Sequence, residues 1–324
     1  MDVEKIKKDL YLYGLAPVVV LDDAEDAVPL AKALYAGGIR FMEITFRTSA
    51  AAQSIKNVAE ACPEMYVGAG TVINGKMAAE AAAAGAQFMV SPGYSQEVVD
   101  YCIEHEIAVV PGTSTMTEMM MAINSGCDIV KLFPAEMSGG VKYINNVVSV
   151  FPNLKIMPTG GIDYNNLDPY AAHKSIVAVG GSWLCPKKLI KEKKWDEITE
   201  ICKKSVMKML GFRLLHIGIN NESDEAAFAA AKSLADIVGE PLEDKGSAYF
   251  VGDMADVVKS VIDGPHGHIA IETINIDRAM RYFEDKGYVF HNIGRDAKGG
   301  VVACWFGLDQ VNVGGFAVHL RRKD

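Results

Sequence analysis

A lysine and a glutamate inside two apolar segments are the residues of this sequence best suited to catalysis. Lys131 lies within IVKLFP, and Glu43 lies within FMEITFR. Burial disfavours the charged form of an ammonium group, so Lys131 could supply a neutral amine that attacks a carbonyl carbon. Glu43 could then act as general acid and base for the imine and enamine steps. A structural alternative is that Lys131 reaches solvent or pairs with an acid, and that Glu43 is a partner for Arg40 or for Lys131.

Polar residues and glycine pairs end several other apolar segments. Arg47 offers a planar fork for a carboxylate, although a surface loop would explain it equally well. The glycine pairs 160–161 and 180–181, the second followed by Ser182, would expose backbone N–H groups that suit a phosphate. Turns use glycine freely, but here two pairs end consecutive segments, which favours an anion site.

Eight short apolar runs carry these residues through the first two thirds of the chain. The runs begin at residues 17, 40, 65, 87, 107, 127, 154 and 175, and helix-sized stretches separate them. Runs that are apolar on both faces and alternate with helices are typical of a parallel sheet. Eight such units predict an α/β fold, a (β/α)8 TIM barrel with its chemistry at the C-terminal strand ends. A doubly wound sheet is the alternative, but LDDAED lacks the glycines of a dinucleotide fold.

The segment 1–208 resembles the 2-keto-3-deoxy-6-phosphogluconate aldolase family, which includes enzymes that also cleave 4-hydroxy-2-oxoglutarate. Its matching stretches, in the family's order, are DAVPLAKALYAGGIRFMEITFRT, VGAGTV, FMVSPG, VKLFPAE, PTGGI and AVGGSWL. The resemblance implies a class I aldolase that forms a Schiff base with a keto-acid sugar and needs neither a cofactor nor a metal ion. It also implies a homotrimer and a place in Entner–Doudoroff carbohydrate metabolism.

The same resemblance assigns a role to each matching residue. Lys131 looks like the Schiff-base lysine, and Glu43 looks like the acid and base that acts through a water. The pyruvate part of the substrate would be held by Arg47, Thr71, Pro92, Phe133 and Thr159. The phosphate would be held by Gly160, Gly161, Gly181 and Ser182. Phe46 replaces a common leucine and leaves substrate preference open, so the phosphogalactonate epimer and an unphosphorylated keto-deoxy acid remain as alternative substrates. A phosphosugar-acid binding protein with a regulatory C-terminal domain is the alternative of a different class.

A different pattern predicts a second domain over 210–324, after a barrel domain over 1–209. LLHIGIN and HIAIETI are each predicted to form a strand, and each is followed by a helix and then by further short strands. This weak repeat predicts a smaller α+β domain of two β-α-β-β-β-like modules. This part weakly resembles the glyoxalase and bleomycin-resistance superfamily, whose metal-binding members use a ligand on the first and last strand of each module. The candidate ligands are His216, His268 and His319. The stretch from Asp256 offers no convincing acid, so we expect a binding or assembly domain without a metal ion.

Composition excludes several other classes of protein. With 32 basic and 41 acidic residues, the net charge of −9 disfavours binding to nucleic acid or to an anionic membrane. No run approaches the ~20 apolar residues of a membrane span, and no secretory signal is expected in MDVEKIKKDLY. Six scattered cysteines predict reduced thiols in a cytoplasmic protein. The lysine-rich segment 186–208 is expected to form a solvated amphipathic helix that links the two domains.

Overall fold

A computed structural model describes residues 2–262 and 264–323 and divides the chain into two compact units, Met1–Met209 and Leu210–Asp324. In the first unit, strands and helices alternate. Its strands are β1 (Leu15–Val19), β2 (Phe41–Thr45), β3 (Tyr66–Gly70), β4 (Phe88–Val90), β5 (Ala108–Val110), β6 (Gly112–Thr113), β7 (Ile129–Leu132), β8 (Lys155–Pro158) and β9 (Val179–Gly181).

The helices of the first unit cover this sheet. They are α1 (Val3–Tyr13), α2 (Ala27–Ala36), α3 (Ala51–Ala61), α4 (Gly75–Ala83), α5 (Gln96–Glu104), α6 (Met116–Asn124), α7 (Gly140–Val150), α8 (Asp168–Ala171), α9 (Lys187–Lys191) and α10 (Trp195–Leu210). Two short 3-10 helices span Ala24–Asp26 and Ser182–Leu184.

The strands of the first unit close into a parallel barrel. One ladder has the order β5-β4-β3-β2-β1-β9 and another the order β6-β7-β8. β5 and β6 are two parts of one strand that is interrupted at Pro111, which has no N–H to donate. Isolated bridges join Ile156 to Ile176 and Thr159 to Gly180, and so connect β8 to the segment of β9. The predicted eight-stranded barrel is therefore confirmed, and each of the eight apolar runs overlaps a strand.

Helix α1 closes the N-terminal end of the barrel. The Asp2 side chain accepts a hydrogen bond from the Lys5 N–H and caps the helix. Ile6 and Leu10 are buried in a cluster with aromatic residues that begin two strands, Phe41 and Phe88. The carboxyl ends of the strands, at the opposite end of the barrel, are left for a ligand.

The lysine-rich segment forms two helices, so the expectation of a single helix is wrong. α9 and α10 are separated by a turn in which Lys193 has a φ of +52°. α10 packs on α2, where the Thr199 hydroxyl donates to the Ala33 carbonyl oxygen at 2.9 Å and Cys202 is fully buried. The helix is therefore part of the first unit's packing, with its lysines on the other face.

The second unit is one eight-stranded sheet with helices on one face. Its strands are β10 (Arg213–Asn220), β11 (Leu242–Asp244), β12 (Ala248–Val251), β13 (Ala255–Val258), β14 (Gly267–Thr273), β15 (Phe290–Arg295), β16 (Val301–Phe306) and β17 (Phe316–Arg322). Its helices are α11 (Asp224–Val238) and α12 (Ile276–Glu284). The order is β11-β12-β13-β10-β14-β17-β16-β15. β10 and β14, the first strands of the two modules, pair antiparallel, and each pairs parallel with the last strand of its own module. This confirms the two β-α-β-β-β modules.

Two general features bear on the class of protein. All six cysteines are buried and none is in a disulfide. Within the residues that the structure describes, no helix combines the length and the apolarity needed to cross a bilayer.

Candidate active site

Lys131 and Glu43 lie side by side inside the barrel. Lys131 is on β7 and Glu43 is on β2, and Nζ of the lysine is 3.1 Å from Oε1 and 3.5 Å from Oε2 of the glutamate. The two side chains are 6% and 1% exposed. A carboxylate in contact with a buried amine can take up its proton and return it, so the pair is arranged for acid–base chemistry at the nitrogen.

A glycine on the neighbouring strand makes room for the Glu43 carboxylate. Gly70 ends β3, which pairs in parallel with β2. A methyl group at Gly70 would lie 2.3 Å from Oε1 of Glu43 and 2.6 Å from its Cγ. Such contacts are far shorter than van der Waals distance, so the glycine is required by the close approach of the carboxylate.

A cavity of about 710 Å³ leads from the C-terminal strand ends to Lys131. Its lining includes the other residues predicted for the site, which are Arg47, Thr71, Pro92, Phe133, Thr159, Gly160, Gly161, Gly181 and Ser182. Glu43 is not among the residues that line the cavity, and it is almost fully buried. The structure thus brings together all the residues that the sequence assigned to the barrel site.

One part of the cavity presents polar side chains suited to a carboxylate. Nε of Arg47 donates to Oγ1 of Thr71 at 3.1 Å, and Thr71 has a φ of +59°, a strained conformation for a threonine. Among the residues that the structure describes, none forms a hydrogen bond with the buried Thr159 hydroxyl. An unpaired buried hydroxyl is unfavourable, so this group is available to a ligand that enters the cavity.

Another part of the cavity is built from backbone. Gly160 and Gly161 have φ values of +99° and +81°, in the left-handed region that glycine tolerates. Two backbone hydrogen bonds fix this loop, from the amides of residues 135 and 136 to the oxygens of residues 159 and 160, at 2.8 and 3.1 Å. Ser182 follows β9 and faces the same cavity. Backbone N–H groups held in this way can bind an anion.

Lys187 is a cavity residue that the sequence reasoning missed. It begins α9 and lines the cavity together with Gly161 and Ser182. Its Nζ lies 2.9 Å from Oδ1 of Asp22, and this hydrogen bond lowers the pKa of the aspartate. Lys187 belongs to a lysine-rich segment that the sequence predicts to be a solvent-exposed helix, so it did not stand out as a site residue. Its place directly after Pro186 at the barrel rim was the available signal.

Comparison with known proteins identifies the first unit. The family model described as "Aldolase: KDPG and KHG aldolase" matches residues 6–201. The chain belongs to the KDPG and KHG aldolase family. The 2-dehydro-3-deoxy-phosphogluconate aldolase of Treponema pallidum is 43% identical over 190 residues, which cover 59% of this chain and 90% of that protein. The KHG/KDPG aldolase of Escherichia coli K12 is 42% identical over 192 residues, with the same coverage of both chains.

Solved structures of the KDPG and KHG aldolase family share the fold of the first unit. The KDPG aldolase of Legionella pneumophila, with pyruvate captured as a covalent carbinolamine, has a TM-score of 0.59 and 37% identity. The alignment covers 61% of this chain and 96% of that one. The Zymomonas mobilis ZM4 enzyme with 3-phosphoglycerate has a TM-score of 0.59 and 35% identity, covering 63% and 96% of the two chains.

The three candidate histidines of the second unit also come together. Nitrogen atoms of His216, His268 and His319 lie within 4.8 Å of one another. Asp256 lies beside them, with Oδ1 3.3 Å from Nε2 of His268 and Oδ2 3.8 Å from Nε2 of His216. The expectation that the first module lacks a matching acid is therefore wrong, since β13 begins at Ala255 and places Asp256 on the histidine face.

The side chains of these three histidines are largely buried. Burial, with smaller contributions from neighbouring histidines, lowers the pKa of His319 to about 3. Burial also lowers the pKa of His216. Both imidazoles are accordingly uncharged near pH 7, and each has a nitrogen lone pair. The resemblance of this unit to the glyoxalase superfamily stays a prediction.

Proposed function

We propose that the barrel is a class I aldolase that cleaves 2-keto-3-deoxy-6-phosphogluconate to pyruvate and glyceraldehyde 3-phosphate, with Lys131 as the Schiff-base lysine. The observation that carries the proposal is the buried contact between Lys131 and Glu43 at a cavity in a barrel of this family. Binding of a sugar acid would require neither a buried amine nor an acid beside it. The carbinolamine captured with pyruvate in the Legionella enzyme supports the same chemistry.

The reaction begins at the amine of Lys131. Its nitrogen attacks the C2 carbonyl carbon of the substrate, and the carbinolamine loses water to give an iminium ion. Removal of the proton from the C4 hydroxyl group then sends electrons through the C3–C4 bond into the iminium, and the aldehyde leaves. The resulting enamine is protonated at C3, and water hydrolyses the iminium to pyruvate and free Lys131.

Glu43 is suited to move the protons of these steps. It contacts Nζ of Lys131 directly, so it can accept the proton of the attacking amine and return one to the leaving hydroxyl. A water between the carboxylate and C4 would extend the reach of the same group to the C–C cleavage step. One carboxyl group can therefore serve successive proton transfers.

The two chemically different parts of the cavity give the substrate a direction. We assign the carboxylate and keto end to Arg47, Thr71 and Thr159, with Pro92 and Phe133 as apolar walls. We assign the phosphate to Gly160, Gly161, Gly181 and Ser182, with the Lys187 ammonium group nearby. Phosphate binds well to backbone N–H groups and gains further from a lysine acting as a point charge.

Further properties follow from the family and belong to the same proposal. Cleavage of 4-hydroxy-2-oxoglutarate to pyruvate and glyoxylate uses the same iminium chemistry and needs no phosphate. By resemblance to the family, we also propose that the protein assembles as a homotrimer, is located in the cytoplasm and acts in the Entner–Doudoroff pathway. The free, buried cysteines are consistent with a reducing compartment.

Trapping with borohydride tests the proposal. Reduction in the presence of pyruvate should leave a covalent adduct that peptide mapping locates on Lys131. Lys131→Met should abolish both the adduct and the retro-aldol activity, whereas Lys155→Met, on the exposed start of the neighbouring strand, should preserve both. An adduct on another lysine, or an active enzyme that gives no adduct, would refute the assignment. Pyruvate release from phosphorylated and unphosphorylated 2-keto-3-deoxy acids, including both C4 epimers, fixes the substrate.

A further inference from the structure

A tyrosine and a glutamate meet behind the glycine loop at 160–161, outside the cavity. Tyr170 is on α8 and is 1% exposed, and its hydroxyl group donates a hydrogen bond to Oε1 of Glu136. Glu136 lies in the connection between β7 and α7. Neither residue is among those that line the cavity. These two residues, called the Tyr–Glu pair below, therefore have no part in the reaction as described so far.

The side chain of Glu136 packs directly on the glycine loop. A methyl group at Gly161 would lie 2.6 Å from Cβ and 2.8 Å from Cγ of Glu136. The glutamate thus occupies the space that any other residue at position 161 would need. The contact is made by the first carbons of the side chain and not by its flexible end. A shift of Glu136 would therefore leave Gly161 without support on this side.

Hydrogen bonds from the same region occupy the carbonyl oxygens of the loop. The N–H of Glu136 donates to the Gly160 oxygen at 3.1 Å, and Nδ2 of Asn166 donates to the Gly161 oxygen at 3.0 Å. Among the residues that the structure describes, none accepts a hydrogen bond from the Gly161 N–H. A backbone donor that is left in this way beside a cavity is available to an anion.

A second glycine leaves room for the Tyr–Glu pair itself. A methyl group at Gly140, the first residue of α7, would lie 2.9 Å from the hydroxyl oxygen of Tyr170 and 3.0 Å from Oε1 of Glu136. The Glu136 side chain is therefore enclosed between two glycines, with Gly161 against its first carbons and Gly140 against its carboxylate. Both glycines have a positive φ, of +81° and +59°.

The hydroxyl group of Tyr170 is what keeps the carboxylate in this position. Burial, with the hydrogen bond to Glu136, raises the pKa of Tyr170 well above its usual range, so the hydroxyl remains a donor. Glu136 is an exposed residue, so without this bond its carboxylate could turn toward water. Its negative charge opposes a phosphate at the neighbouring loop. Any favourable contribution of Glu136 therefore comes from its packing and hydrogen bonding.

We propose that the Tyr–Glu pair positions the loop that binds the phosphate of the substrate. Tyr170 holds Glu136 against Gly161, and the loop is thereby fixed in its binding conformation before the substrate arrives. A loop that is ordered in advance binds more tightly, because less conformational freedom is lost on binding. This inference rests on the proposed function, since it assigns a role only toward phosphorylated substrates. Both members of the pair are positioning residues that act through Gly161.

Three substitutions test the proposal in the full chain. Tyr170→Phe removes only the hydroxyl group and should raise KM for 2-keto-3-deoxy-6-phosphogluconate by about three- to tenfold, the range expected for one hydrogen bond. Its kcat, and both constants for 4-hydroxy-2-oxoglutarate, should stay unchanged. Glu136→Ala should raise the same KM at least as much. Glu136→Gln should restore it to near the value of the unmodified chain, because an amide oxygen accepts the same hydrogen bond.

Tyr164→Phe is the matched control, because Tyr164 lies in the same connection between β8 and α8 but is 42% exposed. It should leave both substrates unaffected, and melting temperatures show whether each variant is folded. Equal changes in KM for the phosphorylated and the unphosphorylated substrate would overturn the proposal. So would an unchanged KM in folded Tyr170→Phe, or a Glu136→Gln variant as impaired as Glu136→Ala.

Binding of sn-glycerol 3-phosphate, measured by titration calorimetry, separates this inference from the proposed function because it requires no turnover. Its Kd should rise in Tyr170→Phe by the same factor as KM. A chain without retro-aldol activity whose affinity still falls in this variant would refute the proposed function and support the role of the Tyr–Glu pair. An active chain whose affinity is the same with and without the hydroxyl group would do the reverse.

Discussion

Substitution of Gly70 by alanine tests the position of Glu43 without removing any functional group. The added methyl carbon would lie 2.3 Å from Oε1, whereas an ordinary contact begins near 3.4 Å. The carboxylate must therefore retreat by about 1 Å, and Glu43 is buried at 1% exposure on a strand paired on both sides. Its contact with Lys131 at 3.1 Å is the interaction most exposed to this shift.

The expected result is a selective loss of turnover. Misplacement of a catalytic group by about 1 Å lowers kcat by about 10²-fold, and overpacking of this kind lowers the free energy of unfolding by about 1–3 kcal/mol. KM should change less than kcat, since the atoms nearest to the added methyl group, beyond its chain neighbours, all belong to Glu43. The assay is pyruvate release, coupled to its enzymatic reduction, together with the melting temperature of the variant.

The matched control is Gly93→Ala, beside Pro92 of the cavity wall. A methyl group there would have no atom of the described residues within 4 Å beyond its chain neighbours, so kcat and stability should stay close to those of the unmodified enzyme. A folded Gly70→Ala variant with unchanged kcat would refute the reasoning, because it would show that the exact position of Glu43 does not matter. An equal loss in both variants would point to a general effect of strand-end substitutions.

Four other changes test the remaining parts of the site. Glu43→Gln should slow turnover by about 10²-fold or more while borohydride still traps some pyruvate, and normal turnover would remove Glu43 from the mechanism. Ser182→Ala should raise KM for a phosphorylated substrate and spare 4-hydroxy-2-oxoglutarate; equal losses would give the serine a structural role. Lys187→Met should have the same selectivity, most clearly at low ionic strength, since exposed charges are screened by salt, and the exposed Lys188→Met variant should show no effect. A chain truncated after Met209 should remain an active aldolase, because the family match ends at residue 201 and the Treponema relative is covered to 90% of its length by 190 residues; a folded but inactive product would show that the second unit completes the site.

The barrel could be predicted because its signals are local and repeated. Each strand is a short run that is apolar on both faces, and the strand-end residues follow from the direction of a parallel sheet. The meeting of Lys131 and Glu43, 88 residues apart, follows once the barrel closes. The sequence shows that a proline occupies position 111. It does not predict that β5 and β6, on either side of this proline, pair with different neighbouring strands, because that depends on pairing around the barrel.

Asp256 and Lys187 show where the sequence stops being informative. The face of a strand to which a side chain points depends on where the strand begins, and a shift of one residue reverses it. Nothing in DMADVVKS marks Ala255 as that beginning, so the sequence does not reveal that Asp256 faces the histidines of the second unit. The turn at Lys193 separates α9 from α10 and requires a left-handed backbone conformation that lysine rarely adopts. The sequence therefore predicts one continuous helix, in which nothing distinguishes Lys187 from the neighbouring lysines.

The join between β8 and β9 gives the ligand a mechanical role in the fold. There the barrel is closed by isolated bridges, one of which pairs Thr159 with Gly180. The glycine loops assigned to the phosphate lie immediately beside this bridge, one on each side of the join. A phosphate group bound by both loops would link β8 to β9. A ligand at 100 times its Kd would add about 2.7 kcal/mol to the stability of the folded barrel. Saturation with a phosphorylated substrate would thus stabilise the barrel against separation of β8 from β9, at the same place where the phosphate binds.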